Sequence, residues 1–164
     1  MQYTSAQANK LLLQLREERE NLLAAERASR QFVAATIEDP ESVRPAYDYA
    51  EMQAAIAETE RKIRVVKHAI SGFNLTHEVC GMTVDQLLVY LPQLKERKAK
   101  LGSMAAQLPK TRAETGRMSI IEYTYTNYDP AAAQADYAAA SRALDEAQLA
   151  LDTLNTTATM EIEL

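Results

Sequence analysis

The sequence predicts a mainly α-helical protein, an antiparallel bundle of long heptad-patterned helices with two short β-strands near the C-terminus. Three observations carry this expectation. Apolar residues recur at alternating spacings of three and four over most of the chain, which is the signature of helices laid against partner helices. Glycine is scarce, at four residues, which disfavours folds rich in tight turns. Two β-branched or period-two stretches stand out from the helical pattern, at residues 118–125 and 157–164.

A first helix is expected over residues 5–38. Ala8, Leu12, Leu15, Leu22 and Val33 share a stripe, and Asp39-Pro40 ends it, because the residue before proline is pushed out of the helical region. A second helix is expected over residues 46–73. Tyr49, Met52, Ile56, Thr59, Ile63, Val66, Ile70 and Phe73 keep the seven-residue repeat without a break. The third, over residues 83–108, opens on Thr83 with Gln86 three positions on, a capping-box pattern. It continues through Val84, Leu87, Leu91, Leu94, Leu101, Ala105 and Leu108; Lys98 takes one stripe position, its charged end reaching for water. Pro92 lies inside this helix and is expected to kink it.

Residues 110–117 read as a polar linker and residues 118–125 as a strand. Asp129-Pro130 then starts a fourth helix, over residues 130–155, with Asp as cap and Pro at the first helical position. Ala133, Tyr137, Ala140, Leu144, Ala147, Leu151 and Leu154 form its stripe. Ala158, Met160, Ile162 and Leu164 give the last strand an apolar face. The two strands are expected to form one small sheet, within or between subunits. At 164 residues the whole chain is expected to be one domain.

Composition bounds function. The net charge of −5 gives no overall attraction to nucleic acid or anionic lipid. Cys80 is the one cysteine, so no intrachain disulfide is expected. Residues 1–9 lack a basic segment followed by an apolar one, and no stretch approaches the roughly 18–20 apolar residues of a membrane span. The expected location is therefore cytoplasmic, with no membrane partner.

Candidate chemistry is sparse. His77, Glu78 and Cys80 are close in sequence, but a zinc site takes about four ligands, and His68, the remaining histidine, is on the preceding helix. A cysteine nucleophile needs a positioned base and an orienting group, and one neighbouring histidine is not a triad. No helix carries the Glu-x-x-His signature of a carboxylate di-metal bundle, and no glycine-rich phosphate loop is present. The expectation is no catalytic residue, no metal and no cofactor.

Two readings of function remain. The first is a non-enzymatic structural or protein-interaction protein that forms a homo-oligomer through its heptad seams, with Ile56, Ile63, Val66, Ile70, Leu144, Leu151 and Leu154 as the packing residues. The second is a nucleic-acid-associated protein. It would use basic runs on the second and third helices, with Arg61, Arg64, Lys67, Lys95 and Lys98 on one positive face. Six tyrosines, at 3, 47, 49, 123, 125 and 128, read as rings packed with the hydroxyl at a wet edge.

Several short pieces of the second half also carry a resemblance. They are Ile70 with Asn74, the run Met82-Thr83-Val84-Asp85-Gln86-Leu87, residues 120–124, and Leu151-Asp152-Thr153-Leu154-Asn155 with its tail. Over residues 63–164 this order resembles a family of bacterial helical proteins labelled septicolysin-like. The resemblance implies a helical, oligomeric protein and no agreed activity.

Overall fold

In this computed structural model the described residues are 1–113 and 121–164. They form a mainly helical chain with short antiparallel strands, as the periodicity predicts. The elements are β1 (Gln2–Thr4), α1 (Ser5–Ser29), α2 (Pro40–Val43), α3 (Tyr49–Thr76), β2 (Glu78–Val79), β3 (Met82–Thr83), α4 (Val84–Ala105), β4 (Lys110–Arg112), β5 (Tyr123–Tyr125), α5 (Pro130–Thr157) and β6 (Thr159–Glu161). They divide into two compact units, one of residues 1–75 with 154–164, the other of residues 76–153.

The first unit is an antiparallel helix pair. Arg19 of α1 bonds Glu60 of α3 at 2.8 Å, and Gln53 of α3 donates to Glu26 of α1 at 2.6 Å, so residue numbers run in opposite directions along the seam. On α1 the covered positions include Ser5, Ala8, Leu12, Leu15, Arg19, Leu22, Glu26 and Ser29, an unbroken heptad, with Leu11 and Leu23 half-buried beside it. Ala8, Leu12 and Leu15 meet Val66 and Phe73 of α3 and Met160 and Ile162 of the C-terminal segment in the core. Thr59, only 2% exposed, occupies a seam position and satisfies its hydroxyl on the Ala55 carbonyl at 3.0 Å.

Strand β1 pairs with β6, Tyr3 opposite Met160. This corrects the expected pairing of the C-terminal strand with the 118–125 strand. Thr4 caps α1 through a reciprocal capping box with Gln7, so β1 turns directly into a helix whose stripe lies under Met160 and Ile162. The first helix also ends earlier than expected, at Ser29. Extending the α1–α3 register places residue 30 opposite Tyr49, where α3 begins. Beyond that point Val33 and Ile37 have no partner helix, and both are almost fully exposed. Helix α3 itself starts three residues later than expected, where Asp48 accepts from the Glu51 amide at 2.9 Å.

The second unit is built the same way. The Tyr128 hydroxyl at the start of α5 donates to the Met104 carbonyl at the end of α4 (2.8 Å), and a Cβ on Gly102 would lie 3.1 Å from the Tyr137 ring. Tyr90, Leu94 and Arg97 of α4 line one groove with Asp136, Ala139, Ala140 and Ala143 of α5. The buried stripe is Val84, Leu87, Leu94 and Leu101 on α4, and Ala133, Ala140, Leu144, Ala147 and Leu151 on α5. Alanine on α5 opposite leucine on α4 lets the backbones approach. Thr83 and Gln86 form the expected capping box, and the Asp129 carboxylate accepts from the Ala131 amide at 2.8 Å. Helix α4 runs through Pro92 and ends at Ala105, short of Leu108, which is 64% exposed.

Two ribbons complete this unit. Strands β2 and β3 are joined by Cys80 and Gly81 at φ 54° and 76°, the left-handed pair that a two-residue hairpin turn requires. Strands β4 and β5 pair antiparallel, so residues 110–112, expected in a polar linker, are a strand. Of the expected strand 118–125, residues 118–120 lie outside the described residues, and β5 occupies its last part.

Candidate functional site

The seven expected packing residues are all spent inside the chain. Ile56, Val66, Leu144 and Leu151 are buried, with Val66 at 0% exposure. Ile63, Ile70 and Leu154 are half-buried against the first unit's core. Side chains covered this way pack the helices within the chain.

The expected basic residues are divided. Arg61 is held by Glu58 one turn earlier, through bonds of 2.8 and 2.9 Å. That bidentate bond raises the guanidinium's pKa and holds the Glu58 carboxyl below the ordinary carboxylate range, helped by the nearby Lys62 charge. Arg64 and Lys67 line a groove of about 590 Å³ with Arg16 and Arg19 of α1, Glu20, Glu60 and Ile63. Arg19 contacts both carboxylates, at 2.8 Å to Glu60 and 3.1 Å to Glu20, and its own pKa is raised by them, Glu60 foremost. Four cations, Arg16, Arg19, Arg64 and Lys67, face the two carboxylates of Glu20 and Glu60, so the groove has a cationic surplus. Lys95 and Lys98 belong to the second unit; Lys95 is exposed, and Lys98 is half-buried at its seam position. Within its unit α3 pairs with α1, so the groove draws on Arg16 and Arg19, which the sequence reading did not single out. The available signal was Arg19 at a position of the α1 heptad and Arg16 three residues before it.

A second surface lies on the β4–β5 ribbon. Residues directly opposite in an antiparallel pair point to one face, and residues two apart share it. Lys110 is opposite Tyr125 and Arg112 opposite Tyr123, so these four side chains share a face. The Lys110 Nζ stands 3.9 Å from the centre of the Tyr123 ring and 5.4 Å from that of Tyr125, a cation held over π faces. The ring centres are 6.5 Å apart, tilted by 54°. Tyr123 is 45% and Tyr125 63% exposed, so these rings are presented to solvent and do not pack with only the hydroxyl wet. Tyr128, with its hydroxyl on Met104, does follow the packed expectation. One position before Tyr123, Glu122 alternates to the opposite face, and its backbone carbonyl extends the ladder by accepting from the Ala113 amide at 2.9 Å.

At the β2–β3 turn Cys80 is an exposed free thiol, and the His77 ring nitrogen Nδ1 lies 3.2 Å from the Thr76 hydroxyl. Among the described residues no three His, Cys, Asp or Glu side chains gather where they could hold a metal. Nor, among them, is any helix long and apolar enough to cross a membrane.

Among the described residues, two units that each pair long antiparallel helices and carry short strands define the class, a mainly helical protein with short antiparallel strands. No protein-family model matches the chain, and no curated protein does. A crystal structure of a functionally unknown conserved protein from Corynebacterium diphtheriae is similar, with a TM-score of 0.59 and 17% identity, over 98% of this chain and 100% of that one. At that identity the likeness is one of fold.

Proposed function

We propose that the chain is a non-enzymatic structural and interaction protein that self-associates in the cytoplasm. The carrying observation is how the helices use their heptads. The long helices spend their heptad stripes on packing within the chain, as spacer and scaffold helices do, and the charges between stripes make short surface pairs such as Glu58–Arg61. Large apolar side chains are left outside the stripes: Leu88, Val89 and Leu149 on the outer faces of α4 and α5, and Val33 and Ile37 beyond the end of α1. Burying a side chain of that size is worth about 1.5–3 kcal/mol, which favours association of copies over exposure. The heptad stripes pack helices within the chain, and in this proposal the outer residues take a part in joining copies. The septicolysin-like resemblance of the second half points the same way.

Light scattering after size exclusion tests the reading. The wild type should run as an oligomer whose mass is insensitive to salt, and Leu88→Ser with Leu149→Ser should shift it to monomer without loss of helix content. A wild-type monomer across the accessible concentration range overturns self-association.

A further inference from the structure

We infer that the β4–β5 ribbon face of Lys110, Arg112, Tyr123 and Tyr125 is a platform for single-stranded nucleic acid. The ligand follows from three features of that face. Two aromatic rings, two residues apart on one strand, stand exposed with centres 6.5 Å apart, a separation at which successive unstacked bases can each meet a ring. Two cations lie on the facing strand, directly opposite those rings, where the phosphates between such bases would run. Among the described residues the carboxylate adjoining the ladder is Glu122, one position before Tyr123, and strand alternation assigns it to the other face. Within a chain of net charge −5 this is a locally cationic, ring-bearing surface, and an anion would be drawn here against the overall charge.

The rings select the kind of polyanion. A duplex keeps its base faces stacked on one another and offers this ribbon only phosphates, while an acidic protein would use Lys110 and Arg112 and leave both rings idle. Single strands use all four groups. Lys110 now covers the Tyr123 ring at 3.9 Å, and its flexible stem lets the ammonium move from the ring to a phosphate as a base takes its place.

The test is fluorescence anisotropy with a labelled oligothymidylate of about 12 nucleotides, long enough to cover a site of this kind. The intact chain should bind it more weakly as salt rises, and should bind the same probe poorly once it is annealed to its complement. Tyr123→Leu with Tyr125→Leu, strand-compatible and ringless, should lower affinity by about tenfold or more. Tyr123→Phe with Tyr125→Phe should restore it. Lys110→Gln with Arg112→Gln should reduce the slope of log affinity against log salt by about 1.4. Equal far-ultraviolet circular dichroism of all variants excludes misfolding as the cause.

Absence of binding by the wild type overturns the inference. So does wild-type affinity in the leucine pair, and so does equal affinity for duplex, which reduces the face to charge alone. Competition by polyglutamate as effective as that by unlabelled oligothymidylate assigns the face to acidic protein. Loss of binding in Arg64→Gln with Lys67→Gln, and not in the ribbon variants, moves the site to the α1–α3 groove.

Discussion

Leu87 and Leu88 are neighbours in α4 with identical chemistry and opposite surroundings, so truncating each in turn isolates the heptad phase. Leu87 is 0% exposed at a seam position, whereas Leu88 is 47% exposed one position outside it. Leu87→Ala withdraws roughly three buried CH₂-sized groups, about 2.4 kcal/mol. A cavity that collapses incompletely adds about 1–2 kcal/mol, which gives about 3–4 kcal/mol in all. At Leu88 the same truncation removes half-wet surface, solvent fills the space, and helix propensity rises slightly, so the cost should stay under about 1 kcal/mol. Urea unfolding followed by circular dichroism reads both, with unchanged slope and a lower midpoint expected for Leu87→Ala. Its melting temperature should fall by about 10 °C. Equal costs at the two positions, at a concentration where the protein is monomeric, would refute the phase assigned to α4 and with it the α4–α5 pairing.

Further predictions follow from single positions. Val66→Asp places an unpaired charge at a fully buried site and should unfold the first unit. Ile63→Asp should be milder, because Ile63 is half-buried and shares its groove with Arg16 and Arg64; thermal melts of the two variants decide this. Gly81 has φ 76°, so Gly81→Ala should cost about 1–2 kcal/mol in chemical denaturation, while Cys80→Asn, better suited to φ 54°, should be neutral or stabilising. Glu58 has its pKa lowered by Arg61. Its stabilising contribution is therefore present above the unfolded-state carboxylate pKa and lost as pH falls through the lower folded-state value. An NMR titration of the Glu58 side-chain carboxyl should show a midpoint below the ordinary range that Arg61→Gln returns to it.

The helices were legible because their apolar spacing is a local property. Tyr49 to Phe73 and Ala133 to Leu154 could each be read without knowing what they pack on, and Thr83 with Gln86 marked a helix start by chemistry confined to four residues. Pairing is not local. Nothing in Met160 or Ile162 states that their strand partner is Tyr3, and the Thr4–Gln7 capping box was visible but passed over as a sign that structure begins at the first residues. The end of α1 was misjudged for a related reason. Val33 continues the heptad, yet a stripe is worth a helix only while a partner faces it, and α3 supplies none beyond residue 30. The ribbon escaped notice because its cations and rings are separated in sequence and meet only through strand register. Basic runs and tyrosines were each visible, but their interleaving was not.

Position along the α1–α3 seam carries one more consequence. Near β1 and β6 the seam is Ala8, Leu12 and Leu15 against Val66 and Phe73, all buried. Toward the 30–48 loop the α1 positions become Arg19, Leu22, Glu26 and Ser29, and they are only half-covered. Polar seam residues trade hydrogen bonds with water for hydrogen bonds with Glu60 and Gln53, a near-even exchange, while the apolar end gains from every side chain it removes from water. Stability within this unit should therefore be graded, not uniform. Amide hydrogen exchange measures the gradient directly: residues 20–29 and 50–55 should exchange through local opening well before residues 8–15 and 66–73. Uniform protection along both helices would mean that the polar half is as strong as the apolar half. Arg19→Leu with Glu60→Leu should then leave the pattern unaltered, where the graded seam requires it to protect residues 20–29 more strongly.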